Sequence, residues 1–143
     1  MKTFIPKIDP AAREWIVVDL NGAILGRAAV QVADILRGKN KPTFTPHLDT
    51  GEHVVALNAS GLKVTGKKIY QNYYYRYTGY PGGLRSVSMA DRMAKHPEAL
   101  FLSTVRGMLP KNRLGRQVIK KLHVYVGSEH PHRAQKPVKV ELK

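Results

Sequence analysis

Residues 61–67, GLKVTGK, carry two glycines and a lysine at the spacing of a nucleotide-binding P-loop. In a P-loop the next residue supplies a hydroxyl to Mg²⁺, but here that place is taken by Lys68, whose ammonium group cannot ligate a cation. A P-loop also leads into a helix, whereas KIYQNYYYRYTG, residues 68–79, favours strand or loop. We therefore exclude a nucleotide triphosphatase and expect Lys67 and Lys68 to meet the phosphates of a nucleic-acid backbone.

Two further motifs could carry enzyme chemistry. Asp49-Thr50-Gly51 matches the short signature of aspartic proteases, which need two carboxylates sharing a proton, so a single copy would require a homodimer. TFTPH, residues 43–47, is not the apolar strand that would hold such a loop, and an ordinary turn is the better interpretation. His130 and His132 are spaced for a metal chelate but flank a proline without a carboxylate cluster nearby. We expect them to be solvated or to face RNA, and we predict no catalytic residue, metal or cofactor.

The charge of the chain points to a polyanionic partner. Lysine and arginine number 24 against 10 acidic residues, which gives a net charge of +14 and a pI near 10.2. The basic residues cluster in two windows without acids, one between Glu52 and Asp91 and the other between Glu98 and Glu129. Lysines spread for solubility would have acids among them, so a nucleic-acid surface explains this pattern better.

Length and composition indicate one soluble domain over residues 1–143, with 43% hydrophobic residues and a mean hydropathy of −0.32. Cysteine is absent, which excludes disulfides and thiolate metal sites. The start, MKTFIPKIDP, has no apolar signal region, and no run reaches the roughly 18 apolar residues of a membrane span. We expect a cytoplasmic protein with no membrane contact and no small-molecule substrate.

The order of the predicted strands and helices indicates an α/β fold, which positions the motifs and basic windows described above. WIVVD at 15–19 and HVVALN at 53–58 are predicted strands, and the apolar spacing from Leu25 predicts a helix that ends near Gly38. Together they predict a parallel βαβ unit. Further helices are predicted at about 89–95, from Pro97 to Pro110 and from Asn112 to about Lys121, followed by a strand at 122–126 and an extended C-terminal arm at 127–143.

Two segments, RYTGYPGGLR at 76–85 and VRGMLPKNRLGR at 105–116, are similar to the signature segments of the L-thirteen family of large-subunit ribosomal proteins, in its bacterial form. The resemblance covers essentially the whole chain, including WIVVDLNGAILGRAA, GKNKPTFTPHLDTGEHVVALNA and HPHRAQKP. It implies a non-enzymatic protein that binds large-subunit rRNA early in assembly and contacts neighbouring ribosomal proteins, with no homo-oligomer. It also implies a three-layer α/β/α fold on a mostly parallel four-stranded sheet. The alternative, a sequence-specific DNA-binding module, would need a recognition helix or a dimer, and neither is visible.

Which residues bind RNA is inferred from their chemistry, because clustered lysines and arginines release counterions from phosphates and arginine adds a planar fork. Asn112 is expected to cap its helix, and Gly107 and Gly115 to let the backbone approach RNA closely. The predicted RNA-binding residues are Arg37, Lys39, Lys41, Lys67, Lys68, Arg76, Tyr80, Gly82, Gly83, Arg85, Arg106, Lys111, Asn112, Arg113, Arg116, Lys120 and Lys121.

Residues 70–85, YQNYYYRYTGYPGGLR, hold six of the seven tyrosines. In an extended segment Tyr73, Tyr75 and Tyr77 point one way while Tyr74 and Arg76 point the other. Core packing, protein contact and stacking on bases are the alternatives for these rings. We expect most of them to anchor the segment to its own domain or to a neighbour, and a minority to meet RNA, with residues 80–83 forming a turn.

Overall fold

The computed structural model describes residues 4–142 and contains two sheets. The strands are β1 (Trp15–Asp19), β2 (His53–Leu57), β3 (Tyr73–Tyr77), β4 (Leu84–Ser88), β5 (Leu122–Val124) and β6 (Val138–Val140). The helices are α1 (Leu25–Arg37), α2 (Lys68–Gln71), α3 (Met89–Lys95), α4 (Pro97–Met108) and α5 (Arg113–Val118). Strands β5, β2, β1 and β6 form one four-stranded sheet in that order, all parallel, and β3 and β4 form an antiparallel hairpin. The predicted α/β class and four-stranded parallel sheet are confirmed.

The first βαβ unit forms as its residue pattern predicts. β-Branched residues fill β1, which pairs in parallel with β2, while α1 turns its apolar stripe, including Ala29, Val32 and Leu36, into the core. Gly38 ends α1 in the left-handed conformation, at φ +76°, and its N–H donates to the last carbonyls of the helix. The loop after this cap is thereby directed toward β2.

Helices α1 and α4 pack on one face of the main sheet. This face carries Val18, Val54 and Ala56, and α4 contributes Leu100 and Phe101, all with no measurable exposure. Because burial of large apolar side chains stabilises a fold by about 1.5–3 kcal/mol for each one, this layer supplies most of the core.

The opposite face is covered by the chain between β5 and β6. These two strands are the two edges of the sheet, so the connection between them must cross it. It does so with a 3-10 turn at His132–Gln135, and the ring of His132 lies 4.9 Å from the ring of Trp15, centroid to centroid. The segment 127–143 was expected to be an extended arm, but its described part contains this turn and an edge strand paired with β1. The crossing is the third layer of the fold.

Helix α2 corrects one prediction. Residues 68–71, for which strand or loop was predicted, form one helical turn in which N–H groups of Tyr70 and Gln71 donate to the carbonyl of Lys67. Local propensity is overridden here because Asn72, just after the turn, accepts a hydrogen bond from the N–H of Met89 and ties the segment to α3. A helix of four residues does not turn GLKVTGK into a P-loop, since Lys68 still stands where the hydroxyl is needed.

The predicted helix from Asn112 to Lys121 is divided, with α5 followed by a 3-10 turn at Ile119–Lys121. Among residues 4–142, no helix is both long and apolar enough to cross a lipid bilayer.

Candidate nucleic-acid interface

A concave groove of about 430 Å³ lies where α4 ends and α5 begins. Three predicted RNA-binding side chains, those of Arg106, Lys111 and Arg116, line it together. All three residues are exposed. Basic side chains that converge on one open groove can contact the phosphates of a folded polyanion at the same time.

The chain between the two helices is held by its own hydrogen bonds. The side chain of Asn112 accepts from the N–H of Gly115 at 2.7 Å, so its predicted role as the cap of α5 is confirmed. A Cβ on Gly115 would lie 1.9 Å from the carbonyl oxygen of Pro110. Gly115 is therefore required by its own domain, whereas a Cβ on Gly107 would meet nothing within 4 Å. Of these two glycines, Gly107 is the one that leaves room for RNA close to the backbone, and that contact stays a prediction.

Arg113, at the start of α5, and Lys120, in the turn that follows it, are exposed, but Lys121 is not. Only 4% of the surface of Lys121 is exposed. Its Nζ donates to the carbonyl oxygen of Leu36 at 3.0 Å and to Oδ1 of Asp49 at 2.5 Å. Burial lowers the pKa of Lys121, and the Asp49 carboxylate opposes that shift. The prediction that Lys121 binds RNA is wrong, because its charge is used inside the domain.

Asp49 belongs to a network that links distant segments. Its Oδ2 lies 3.2 Å from the guanidinium of Arg13, while its Oδ1 faces Lys121. Sequence reasoning assigned Asp49 only to a turn, and no local signal announces this role because its partners come from both ends of the chain. Glu52 is also buried, and it pairs with Lys41 and accepts the N–H of Glu14 at 2.5 Å.

The basic residues predicted to bind RNA at the end of α1 contact other residues of the same domain. The guanidinium carbon of Arg37 lies 5.7 Å from the ring centroid of Phe44, Lys39 pairs with Asp34 at 3.1 Å, and Lys41 pairs with Glu52. Two of the three positive charges therefore have a carboxylate beside them. RNA binding by Arg37, Lys39 and Lys41 stays a prediction, with less free charge than the sequence suggested.

The β3–β4 hairpin places Arg76 directly opposite Arg85. Both residues are exposed, as are Lys67 and Lys68, which precede the hairpin. Like charges opposite each other in a sheet repel, so an anion beside the two guanidinium groups would relieve an unfavourable contact.

The turn at the tip of the hairpin is confirmed. The N–H of Gly83 donates to the carbonyl of Tyr80 at 2.9 Å, and Gly82 has φ +72°. A Cβ on Gly83 would lie 2.0 Å from Oγ1 of Thr78. The two glycines are required by the turn itself, and their contact with RNA stays a prediction.

Most tyrosines of the segment do not pack on their own domain. Five of them are more than half exposed: Tyr70 (77%), Tyr73 (51%), Tyr75 (68%), Tyr77 (63%) and Tyr80 (76%). Tyr74 alone of the six is half-buried, with the guanidinium carbon of Arg92 4.5 Å from its ring centroid. The expected anchoring to the domain is found for Tyr74 but not for the other five, and for these five anchoring to a neighbour or contact with RNA stays a prediction.

A stack of aromatic rings was missed by sequence reasoning. It lies on the sheet face that is covered by the chain between β5 and β6. Trp15 stacks on His53 with ring centroids 4.4 Å apart and on His123 at 5.5 Å, and His132 completes the group. The only sequence signal is that Trp15 and His53 each begin a predicted strand. The expectation that His132 is solvated or faces RNA is wrong, because it is half-buried and 2.8 Å from the hydroxyl of Tyr125. Burial lowers the pKa of His53 and of His123.

This ring stack has no metal-binding geometry: within residues 4–142, no group of three or more histidine or carboxylate side chains is placed to hold an ion. Exposed positive charge is present in the groove between α4 and α5, at Arg106, Lys111 and Arg116, and on the hairpin, at Arg76 and Arg85.

Comparison with known proteins gives a consistent result. The family model described as ribosomal protein L13 matches residues 13–131. The chain is 55% identical over 142 residues to large ribosomal subunit protein uL13 of Maridesulfovibrio salexigens. This alignment covers 99% of the chain and 100% of the relative. It is 54% identical to the protein of the same name from Oleidesulfovibrio alaskensis (100% and 99% covered) and 52% identical to that of Bacillus cereus (99% and 97%). The family model covers most of the chain, and these relatives are more than half identical to it over nearly its full length. The chain therefore belongs to the ribosomal protein L13 family.

Proposed function

We propose that this protein is a structural, non-enzymatic constituent of the large ribosomal subunit in the cytoplasm, where it binds large-subunit rRNA early in assembly and contacts neighbouring ribosomal proteins. The relatives are named as large ribosomal subunit proteins, and the chain matches them over nearly its full length. The observation that carries the proposal is the convergence of Arg106, Lys111 and Arg116 on one exposed groove.

Folded rRNA suits this surface better than a small anion does. The groove is open, and Arg113 and Lys120, which are close in the chain to its lining residues, are exposed as well, so the exposed positive charge is not limited to one phosphate site. The hairpin supplies a second contact, with Arg76 opposite Arg85. Neutralising several phosphates at once releases counterions, which makes the affinity large at low salt and steeply dependent on salt concentration.

Three measurements test the proposal. The protein should sediment with large subunits through washes at moderate salt, and it should bind a transcript of the large-subunit rRNA in preference to duplex DNA of equal length at matched salt. Early action predicts that cells depleted of the protein accumulate incomplete large-subunit particles. Loss of the protein from washed particles, or equal competition by duplex DNA, would contradict the proposal, and a preference for duplex DNA would favour the DNA-binding alternative.

A further inference from the structure

The two faces of the β3–β4 hairpin differ in chemistry. Alternation along the strands places Tyr73, Tyr75 and Tyr77 on one face, together with their cross-strand partners Ser88, Ser86 and Leu84. Arg76 and Arg85 lie on the other face, with the half-buried Tyr74. The first face therefore presents a row of three exposed tyrosines and no charged residue. We call Tyr73, Tyr75 and Tyr77 the tyrosine row.

The spacing of the tyrosine row matches the thickness of a nucleobase. Alternate residues of a strand are about 6.6 Å apart, twice the rise of roughly 3.3 Å per residue. A flat base between two rings needs a carbon–carbon contact of about 3.5 Å on each side. When the rings lie parallel, this spacing leaves room for one base between Tyr73 and Tyr75 and for a second between Tyr75 and Tyr77. Each of the three rings is more than half exposed and so open to such a contact.

Charge favours RNA over a protein as the occupant of this face. No acidic residue occurs between Glu52 and Asp91, a stretch that contains the whole hairpin as well as Lys67 and Lys68. The tyrosine row is thus a neutral aromatic strip on a strongly positive element. A polyanion with exposed aromatic faces complements both properties at once, which is the combination that unpaired RNA offers.

We propose that the tyrosine row is a stacking site for two consecutive unpaired nucleotides, with Arg76 and Arg85 on the other face contacting phosphates of the flanking RNA. The proposal rests on the proposed function and deepens it, because it divides the hairpin into a surface for bases and a surface for the backbone. Stacking accepts every base, so the site selects unpaired RNA by its accessibility rather than by its sequence.

The test uses the full-length protein and a transcript of the large-subunit rRNA. Three variants are compared with the wild type: the triple variant Y73L/Y75L/Y77L, the triple variant Y73F/Y75F/Y77F, and Tyr70→Leu as a control at a tyrosine outside the row that is more exposed than any member of it. Circular dichroism confirms that each is folded. We expect the leucine triple to bind the transcript about 25-fold or more weakly, since the site stacks two bases and each contributes at least about fivefold. The phenylalanine triple and Tyr70→Leu should remain within about twofold of the wild type.

The salt dependence and a crosslinking experiment separate the stacking proposal from the proposal that the protein binds rRNA. Tyrosine carries no charge, so the leucine triple should keep the wild-type slope of affinity against salt. In a complex of the wild-type protein with transcript containing 4-thiouridine, irradiation should join nucleotides to the tyrosine row. Wild-type affinity of the leucine triple, or crosslinks confined to other segments, would overturn the stacking site while leaving rRNA binding through the groove intact. Failure of the wild type to bind the transcript would overturn both proposals.

One further outcome identifies a different occupant. If the leucine triple binds the transcript like the wild type but is lost from washed large subunits, the row docks a neighbouring protein and the stacking proposal is wrong.

Discussion

The ammonium nitrogen of Lys121 lies 2.5 Å from Oδ1 of Asp49, inside the domain and next to the carbonyl of Leu36. A lysine from one acid-free basic window is thus a structural residue, while its neighbour Lys120 is exposed. Adjacent basic residues of similar appearance in the sequence therefore have different roles.

Asp49→Asn should destabilise the fold by about 3–5 kcal/mol, because it leaves the buried Lys121 without its negative partner. The measurement is chemical denaturation. Asp34→Asn is the matched control: its partner Lys39 is exposed, so the loss should stay below about 1 kcal/mol. Equal losses in the two variants would show that the Lys121–Asp49 pair is not buried in solution.

Replacing Arg113 and Arg116 by glutamine should weaken binding to the rRNA transcript and lower the salt slope by about 1 for each phosphate contact that is lost. Filter binding at several salt concentrations measures both effects. Lys95→Gln removes an exposed charge outside the two basic windows and should change binding less. An unchanged slope in the double variant would mean that the interface lies elsewhere.

Gly115→Ala should distort the entry to α5, because the added Cβ would lie 1.9 Å from the carbonyl oxygen of Pro110. We expect a lower melting temperature and weaker rRNA binding. Gly107→Ala separates fold from interface: its Cβ meets nothing in the domain, and alanine favours a helix by about 1 kcal/mol. That variant should be as stable as the wild type or more so, and weaker rRNA binding by it would show that RNA approaches α4 at this residue. A stable Gly115→Ala would contradict the packing described.

Leu100→Asp should unfold the domain, since Leu100 has no measurable exposure and an unpaired carboxylate cannot be buried there. Leu102→Asp lies two residues along the same helix, where 38% of the side chain is exposed, and should cost about 0.5 kcal/mol. Circular dichroism of the two proteins distinguishes them. Similar spectra would contradict the assigned orientation of α4.

Stability should fall as the pH decreases below about 6.5, the ordinary pKa of histidine. The pKa values of His53 and His123 are lowered in the fold, so the unfolded chain takes up protons first and the fold loses free energy as the pH falls from that value toward the lower folded pKa. The groups around His53 that act on this pKa, besides burial, are Lys121, Arg13, His123 and Asp49. Melting temperatures between pH 5 and 7.5 measure the effect.

His53→Phe keeps a ring beside Trp15, removes the titration and also removes Nδ1, a buried atom with no hydrogen-bond partner among the described residues. The melting temperature of this variant should depend less on pH, while His47→Gln, at an exposed residue outside the stack, serves as the control. Identical pH dependence in the His53 variant and the wild type would contradict this assignment.

The sequence predicted those helices and strands that are determined by residues close together in the chain. The β-branched run of β1, the apolar spacing of α1, Pro97 at the start of α4 and Asn112 before α5 all lie where the sequence indicated. The α4–α5 groove was partly predictable, because its basic residues are close together in the chain. Features built from distant residues were missed: α2 depends on a bond to Met89, Lys121 on Asp49, and the Trp15 stack on His132. The exposure of the tyrosine row was also missed, since alternation shows which side chains share a face but not which face is covered.

The crossing from β5 to β6 has a consequence for synthesis of the chain. β1 is among the first described elements to leave the ribosome that makes it, yet Ile16 pairs with Val138, nearly the whole chain later. Until then one edge of β1 stays unpaired and Trp15 lacks the cover of His132. Pairing over so long a separation is slow to form. We therefore expect the nascent protein to remain protease-sensitive until β6 emerges, and to acquire its final stability in a single late step.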